Sequence, residues 1–254
     1  MLRRIRWQIL IAVGSAVVIL ALLGTFAMTT AATTQPLQGS VYVEGVVGSP
    51  QQLNPLLHNA ATSPAERDIA ALIFEGLTRV DDQGRAQPAL AERWETSDDA
   101  RIFTFTLRSD RTWHDGAPVT AADVLYTLRG IQNAGFPGDP ALRSFWNTVL
   151  IDQIDDLTIR FELPTPLASF PSVARVPILP AHLLRTLQPA QWPSADLSRR
   201  PIGSGPWQVQ AISDEQVLLQ PFADHPDRSQ LDNLLLRLYP TADAAVLALS
   251  RSEV

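Results

Sequence analysis

Histidine is the residue type best suited to proton transfer or metal binding near neutral pH, and the chain carries four. They are His58, His114, His182 and His225. None has a second histidine, or a carboxylate at helical ligand spacing, with which to form a metal pair. His114 and Asp115 are adjacent, and adjacent side chains seldom point at one site. We therefore predict turn or surface histidines and no metal site.

Paired carboxylates, which could serve as a general acid and base, occur three times. They are Asp81-Asp82, Asp98-Asp99 and Asp155-Asp156. Each pair lies in a predicted turn, where aspartate is common because its side chain bonds nearby backbone amides. We interpret them as solvated turns.

Motifs for nucleophilic or nucleotide chemistry are absent from the sequence. There is no Gly-x-Ser-x-Gly elbow and no phosphate loop. Gly203-Ser204-Gly205 begins like a dinucleotide fingerprint, but Gln208 stands where the third glycine belongs. The lack of cysteine excludes disulfides, thiolate metal sites, a cysteine nucleophile and a lipidated N-terminal cysteine. We expect no enzyme and no cofactor.

Tryptophan is frequent, and five of the six lie beyond residue 30. They are Trp94, Trp113, Trp146, Trp192 and Trp207. Core packing is one interpretation; the other is that one or two of them line an aromatic ligand site.

The N-terminus has the chemistry of a membrane element. Arg3, Arg4 and Arg6 precede an uncharged run over residues 7–28, which as a helix would be about 33 Å long, enough to cross a bilayer. An uncleaved anchor and a cleaved signal peptide both remain open. In either case the arginines place the rest of the chain outside the cytoplasm, anchored to the cytoplasmic membrane in the first case.

Charge excludes one class of partner. Beyond residue 6 the chain holds 17 basic and 26 acidic residues, a net charge of −9. A body this acidic repels phosphate backbones, so we predict no nucleic acid binding.

Periodicity predicts a chain of mixed strands and helices, of the α/β or α+β class. Predicted strands cover residues 40–47, 78–80, 102–107, 157–163, 216–220 and 234–239. Predicted helices cover residues 120–128, 181–187 and 241–250, with a further helix that starts at Pro64 and is ended by Gly76. The rest of the proline-rich stretch 164–206 is predicted to be loop.

Three stretches resemble family 5 of the extracytoplasmic solute-binding proteins, the dipeptide, oligopeptide and nickel binders that serve ABC importers. The first runs from Ala89 to Arg108. The second, Thr112 to Val124, reads T-W-H-D-G-A-P-V-T-A-A-D-V and is the most specific. The third is Pro201 to Trp207. Local chemistry gives the second stretch a structural role, since Trp113 and Val119 are apolar, Asp115-Gly116 can form a turn and Thr120 can cap a helix.

The resemblance implies a periplasmic-binding-protein-like type II lobe carrying a small inserted α+β domain. The N-terminal membrane or signal segment and its linker would occupy residues 1–35. Residues 36–74 and 172–254 would form the first lobe, and residues 75–171 the inserted domain. Family members are much longer, so the resemblance also implies a truncated chain without its second lobe.

The function implied is binding of peptides, or of another small solute, for delivery to an ABC permease. The resemblance assigns ligand contact to two segments, one after Asn54-Pro55 and one in the glycine loop, residues 203–205. The implied ligand-binding residues are Asn54, His58, Asn59, Ala60, Ala61, Gly203, Ser204 and Gly205. The alternative is a membrane-anchored interaction protein, a degenerate copy without ligand binding of its own.

Overall fold

A computed structural model describes residues 39–59, 61–251 and 253–254. The predicted membrane or signal segment, residues 7–28, and Ala60 of the predicted site therefore lie outside the described residues. Within the described ranges, no helix is long and apolar enough to cross a membrane. Residues 39–254 form one compact unit.

The first sheet joins the beginning of the described chain to its end. Its strands are β1 (Val41–Val47), β8 (Trp207–Ile212), β9 (Gln216–Pro221) and β10 (Asn233–Tyr239). Their order is β1-β10-β9-β8, with β1 parallel to β10 and the other pairs antiparallel. Strand β10 reads N-L-L-L-R-L-Y, and its first four residues are buried. This continuous apolar run fits a strand enclosed between two neighbours.

The second sheet is antiparallel, and its strand β5 follows clear alternation in the sequence. Its strands are β4 (Ala91–Thr96), β5 (Ile102–Leu107), β6 (Leu150–Gln153) and β7 (Thr158–Glu162), in the order β4-β5-β7-β6. On β5, Phe103, Phe105 and Leu107 are buried while the residues between them are only partly buried. One face of this sheet is therefore core. A small hairpin, β2 (Thr78–Val80) with β3 (Ala86–Pro88), precedes it.

Six α-helices complete the described chain. They are α1 (Pro64–Ile73), α2 (Ala121–Gln132), α3 (Pro140–Trp146), α4 (Phe170–Val173), α5 (Ala181–Leu184) and α6 (Ala242–Ser250). Short 3₁₀ helices lie at Pro55–Leu57, Pro189–Ser194 and Asp196–Ser198. Helix α1 starts with a capping box, in which Ser63 and Glu66 bond each other's backbone amides, and with proline in its first turn.

Aromatic rings fill the core beneath the second sheet. Phe170, from α4, lies 4.9 Å from Phe103 and 5.3 Å from Phe161 between ring centroids, and Trp146 lies 5.9 Å from Phe170. Trp113, Trp146, Trp192 and Trp207 are all buried. Of the two interpretations of the tryptophans, the structure supports core packing for Trp113, Trp146 and Trp207, whereas Trp192 is buried and also forms part of a cavity wall.

The predicted elements are confirmed in large part, and the errors have local causes. Strand β4, A-E-R-W-E-T, was not predicted because it is a charged edge strand with little alternation. Strands β6 and β8 and helix α3 were also missed. The stretch 164–206 is less irregular than predicted, since it holds α4 and two 3₁₀ helices besides α5. Helix α1 ends at Ile73, before Gly76, whose role is instead close contact with the backbone of Arg175.

Candidate functional site

The glycine loop packs directly against the C-terminal end of helix α1. The Gly205 amide donates to the carbonyl oxygen of Ile73 at 2.8 Å. A Cβ atom on Gly203 would lie 1.9 Å from that same oxygen, and one on Gly205 would lie 2.6 Å from the Leu72 oxygen. Any side chain at either position would therefore displace backbone. The loop needs glycine for close packing.

His114 fastens the same loop through both ring nitrogens and its own backbone. Its backbone amide donates to the Gly203 oxygen at 2.8 Å. Its Nδ1 lies 3.2 Å from the Gly203 amide nitrogen, and its Nε2 lies 3.0 Å from the Gly205 oxygen. A backbone amide can only donate and a carbonyl can only accept, so Nδ1 is unprotonated and Nε2 carries the hydrogen.

Electrostatics agree with a neutral ring. Burial lowers the pKa of His114 below its usual value, although the hydrogen bond to Gly205 acts in the opposite direction. The ring also packs edge-on against Phe222, with 4.9 Å between centroids. The prediction of a turn histidine is confirmed for His114, which lies in the turn closed by the bond from the Gly116 amide to the Trp113 oxygen. What the prediction lacked is the packing of its half-buried ring against the glycine loop and Phe222.

A buried polar cluster lies beside this contact. Oε1 of Glu75 is 3.6 Å from Nη2 of Arg111 and 3.3 Å from Nε2 of His225. Arg111 is 5% exposed and His225 is 4% exposed. His225 lies between two turns, as predicted, but it is buried and not on the surface. The sequence did not predict a role for Glu75 or Arg111, because neither lies beside another residue with which it could form a recognisable motif.

The first segment of the predicted ligand site begins with a buried structural residue. Asn54 is fully buried, and its Oδ1 accepts a hydrogen bond of 3.1 Å from the Leu56 amide at the start of a 3₁₀ helix. Its side chain thus caps a helix. In this conformation it has no surface for a ligand.

The residues that follow Asn54 are more open. His58 is half-buried, and its Nε2 lies 3.0 Å from the Gln52 oxygen. Asn59 and Ala61 are exposed, but their backbone amides bond nearby side chains, the Thr62 hydroxyl at 2.9 Å and the Asn59 side-chain oxygen at 2.8 Å. A ligand backbone that accepted hydrogen bonds from these amides would displace both bonds.

The two parts of the predicted site differ in character. Gly203, Ser204 and Gly205 are buried, whereas the segment around Asn59 faces solvent. No hydrogen bond joins the two segments within the described residues. The Leu53 amide, just before the first segment, donates to the Ser198 oxygen at 2.9 Å, five residues before the glycine loop. The glycine loop is therefore a packed support in this structure.

The signature segment, residues 112–124, packs in the core and makes hydrogen bonds to distant parts of the chain. Trp113 and Val119 are buried, and Gly116 adopts a φ of 85°, the left-handed conformation of a tight turn. Oδ2 of Asp115 lies 2.7 Å from Nε2 of His182. His114 and Asp115 thus point to different partners, as their adjacency predicts.

A cavity that the sequence did not predict lies between α2 and residues 185–192. It has a volume of about 400 Å³, with Leu125, Tyr126 and Trp192 among its walls and Arg129 and Arg185 at its edge. No residue of the predicted site lines it. Across residues 39–59, 61–251 and 253–254 there is no cluster of three or more potential metal ligands. The paired aspartates lie in turns, where Asp81, Asp99 and Asp155 accept backbone hydrogen bonds.

Comparison with curated proteins gives relatives of one functional class. The chain is 26% identical over 225 residues to the oligopeptide-binding protein AppA of Bacillus subtilis, covering 87% of this chain and 41% of AppA. It is 28% identical over 263 residues to the dipeptide-binding protein of Escherichia coli, covering 91% and 46% respectively. The chain therefore spans less than half the length of these relatives.

Solved structures share the fold. The substrate-binding protein CtaP of Listeria monocytogenes superposes with a TM-score of 0.74 at 30% identity, over 85% of this chain and 44% of that one. AppA of Bacillus subtilis, solved in complex with a nonapeptide, gives a TM-score of 0.77 at 24% identity, over 87% and 44%. The family profile described as "Bacterial extracellular solute-binding proteins, family 5 Middle" matches residues 85–254. The chain belongs to family 5 of the bacterial extracellular solute-binding proteins.

Proposed function

We propose that this chain binds peptides outside the cytoplasm for uptake by an ABC permease. The observation that carries the proposal is the family match over residues 85–254, joined to relatives that are named as oligopeptide-binding and dipeptide-binding proteins. Delivery to a permease is the role that the names of the ABC-transport relatives suggest.

Peptide is the ligand class that the named relatives favour, although several related structures were solved with other solutes. The AgaA protein of Agrobacterium, at 27% identity and a TM-score of 0.73, was solved with agropinic acid. Main-chain pairing would accept many peptide sequences, because backbone amides and carbonyls are common to all of them.

The proposed contact surface is the binding edge, residues 58–61. Asn59 and Ala61 are exposed there, and His58 is half-buried. Helix α1 follows this edge directly, and its far end rests on the glycine loop through the bond from Gly205 to Ile73. We assign the loop a supporting role, in which it fixes the helix that positions the binding edge.

Further parts of the proposal concern organisation. We propose that residues 36–74 and 172–254 form one lobe and that residues 75–171 form the inserted domain. The first sheet falls in the former and the second sheet in the latter. We also propose that residues 7–28 serve as a membrane anchor or as an export signal.

Titration calorimetry with a random tripeptide mixture tests peptide binding by this chain. We expect measurable heat, which should fall when the same mixture carries methylated backbone nitrogens, because methylation removes peptide donors. His58→Ala should weaken the interaction. His182→Ala is the matched control, since His182 is also half-buried but lies on α5, outside the binding edge.

Two results would contradict the proposal. Absence of heat with the unmodified mixture would show that this chain alone does not bind tripeptides. Equal heats from methylated and unmodified mixtures would exclude main-chain recognition and favour a solute of another class, for which agropinic acid is a direct probe.

A second candidate is an interaction protein, and exposed apolar residues on helix α6 favour it. Val246 is 65% exposed and Leu249 is 63% exposed, with Leu247 at 50%. Large apolar side chains grouped on one helix commonly mark a contact surface. Loss of binding of an apolar dye after substitution on α6 tests whether this surface is apolar enough to bind a partner.

A further inference from the structure

The contact between His114 and the glycine loop joins residues 89 to 91 positions apart. Three hydrogen-bonding contacts converge there, two of them to the imidazole ring. The ring contacts have opposite polarity, because Nδ1 accepts and Nε2 donates. Only one of the three protonation forms of imidazole, the neutral form with hydrogen on Nε2, satisfies both.

We propose that His114 is the positioning residue of the glycine loop, holding the Gly203 amide through an unprotonated Nδ1 and releasing it when Nδ1 gains a proton. A protonated Nδ1 would direct an N–H group at the Gly203 N–H group, so two donors would face each other. The Nε2 contact to Gly205 would survive, since Nε2 keeps its hydrogen. Protonation thus breaks only the ring's bond to the Gly203 amide, because the bond from the His114 backbone amide to the Gly203 oxygen does not depend on the ring. The inference goes beyond the proposed function and does not depend on peptide binding.

The groups around the ring decide how readily the proton is gained. His225 repels a charged His114, whereas Glu75 and Asp115 favour it. Phe222 covers one side of the ring without charge. Burial outweighs the favourable charges and lowers the pKa of His114, so the ring is neutral at neutral pH and gains its proton only in acid.

Close packing against α1 limits how the glycine loop can respond when the bond between Nδ1 and the Gly203 amide is lost. A Cβ atom on Gly203 would meet the Ile73 oxygen at 1.9 Å, so the backbone already lies as close to α1 as it can. The loop can move only away from the helix. We therefore expect the Gly203 amide to gain access to solvent on protonation.

Nuclear magnetic resonance of the whole 254-residue chain, labelled with nitrogen-15, tests the proposal without any ligand. At about pH 7.5 the two-bond imidazole spectrum should show His114 with hydrogen on Nε2. As the pH is lowered towards about 5, the protection factor of the Gly203 amide should fall in step with the titration of His114, by about tenfold or more. The Leu163 amide, which donates to Arg101 in the second sheet, reports global stability.

Two variants separate the two ring contacts. In His114→Asn the side-chain oxygen can stand where Nδ1 stands and cannot titrate, so Gly203 should stay protected at both pH values. In His114→Phe the ring packing on Phe222 is kept and both ring bonds are lost, so Gly203 should be unprotected at both. Circular dichroism establishes that each variant is folded.

Three results would overturn the proposal. The first is a His114 ring with hydrogen on Nδ1 at about pH 7.5. The second is full protection of Gly203 in a folded His114→Phe chain. The third is the same pH dependence of Gly203 protection in the wild type and in His114→Asn. This last comparison decides the question even if the phenylalanine variant does not fold.

Discussion

Oδ1 of Asp123 accepts a hydrogen bond of 2.9 Å from the backbone amide of Ala181, 58 residues further along the chain. The other carboxylate oxygen accepts from the Thr120 amide and hydroxyl at 2.9 and 3.1 Å. One side chain thus starts helix α2 and also fixes the beginning of helix α5. Asp123 is only 5% exposed, so water cannot replace these partners.

Replacing Asp123 with asparagine should destabilise the chain by about 1–3 kcal/mol. The amide keeps one acceptor, so its NH₂ group must face either the Ala181 amide or the Thr120 donors, and one buried donor loses its partner. Urea unfolding followed by circular dichroism measures the change. Asp152→Asn, at an exposed position on β6, should change the unfolding free energy by less than about 0.5 kcal/mol. Equal losses of unfolding free energy in the two variants would contradict the special role of Asp123.

Gly203→Ala should cost about 1–3 kcal/mol or prevent folding, because the added methyl would overlap the Ile73 oxygen. Thermal and urea unfolding provide the measurement. Gly135→Ala is the matched control. Its new methyl would meet the Asn133 side chain at 3.3 Å, and that side chain can move aside. A stable Gly203→Ala chain would show that the glycine loop is not packed as described.

Glu66 should make the free energy of unfolding depend on pH in the acidic range. Oε1 accepts from the Gln51 and Gln52 amides at 2.9 and 2.7 Å, and Oε2 accepts from Ser63. Burial alone would raise the pKa of Glu66, but these hydrogen bonds outweigh it, and the pKa is lowered. The native carboxylate therefore holds its proton less tightly than the unfolded one, whose pKa is about 4.3. Its contribution is complete above that value and is lost as the pH falls through the native pKa.

Glu66→Gln should remove this part of the acid sensitivity. The unfolding free energy of the variant should lie below that of the wild type at about pH 7, with the gap narrowing towards about pH 3. Urea midpoints at stepped pH measure it. Glu44→Gln, at an exposed position on β1, should keep the wild-type slope. Parallel curves for Glu66→Gln and the wild type would contradict the prediction.

Helix α6 should bind an apolar dye. Leu249→Ser should reduce the fluorescence of added anilinonaphthalene sulfonate while leaving stability within about 0.5 kcal/mol, because the leucine is 63% exposed. Leu150→Ser is a control at the same exposure, on strand β6. If both substitutions reduce fluorescence equally, α6 holds no special apolar surface.

Periodicity was enough to predict the strands and helices that have a strong apolar pattern. The alternation from Ile102 to Leu107 and the Ser63-Pro64 cap both correspond to real elements. The charged strand β4 could not be predicted from the sequence, because its place at a sheet edge comes from pairing with β5. Local pattern does not contain that information.

The chemistry of the site was less predictable than the fold. His114 is the turn residue that the sequence predicts, but its bonds to Gly203 and Gly205 could not be predicted, because these partners lie about ninety positions away. The burial of His225 depends in the same way on Glu75. Asn54 looked available for a ligand, yet its side chain is fully buried and caps a 3₁₀ helix. The contacts of His114 and His225 join segments that are distant in sequence, which local patterns do not reveal.

The parallel pairing of β1 with β10 also governs the order in which the chain can fold. Ser40 and Asp232, bonded at the end of that pair, are 192 residues apart. During synthesis at about 5–20 residues per second, β1 must wait roughly ten seconds or longer for its partner strand to emerge. The antiparallel strands β8, β9 and β10 are close in sequence and can pair first. Until β10 emerges, β1 lacks its hydrogen-bonding partner and the first sheet cannot be completed.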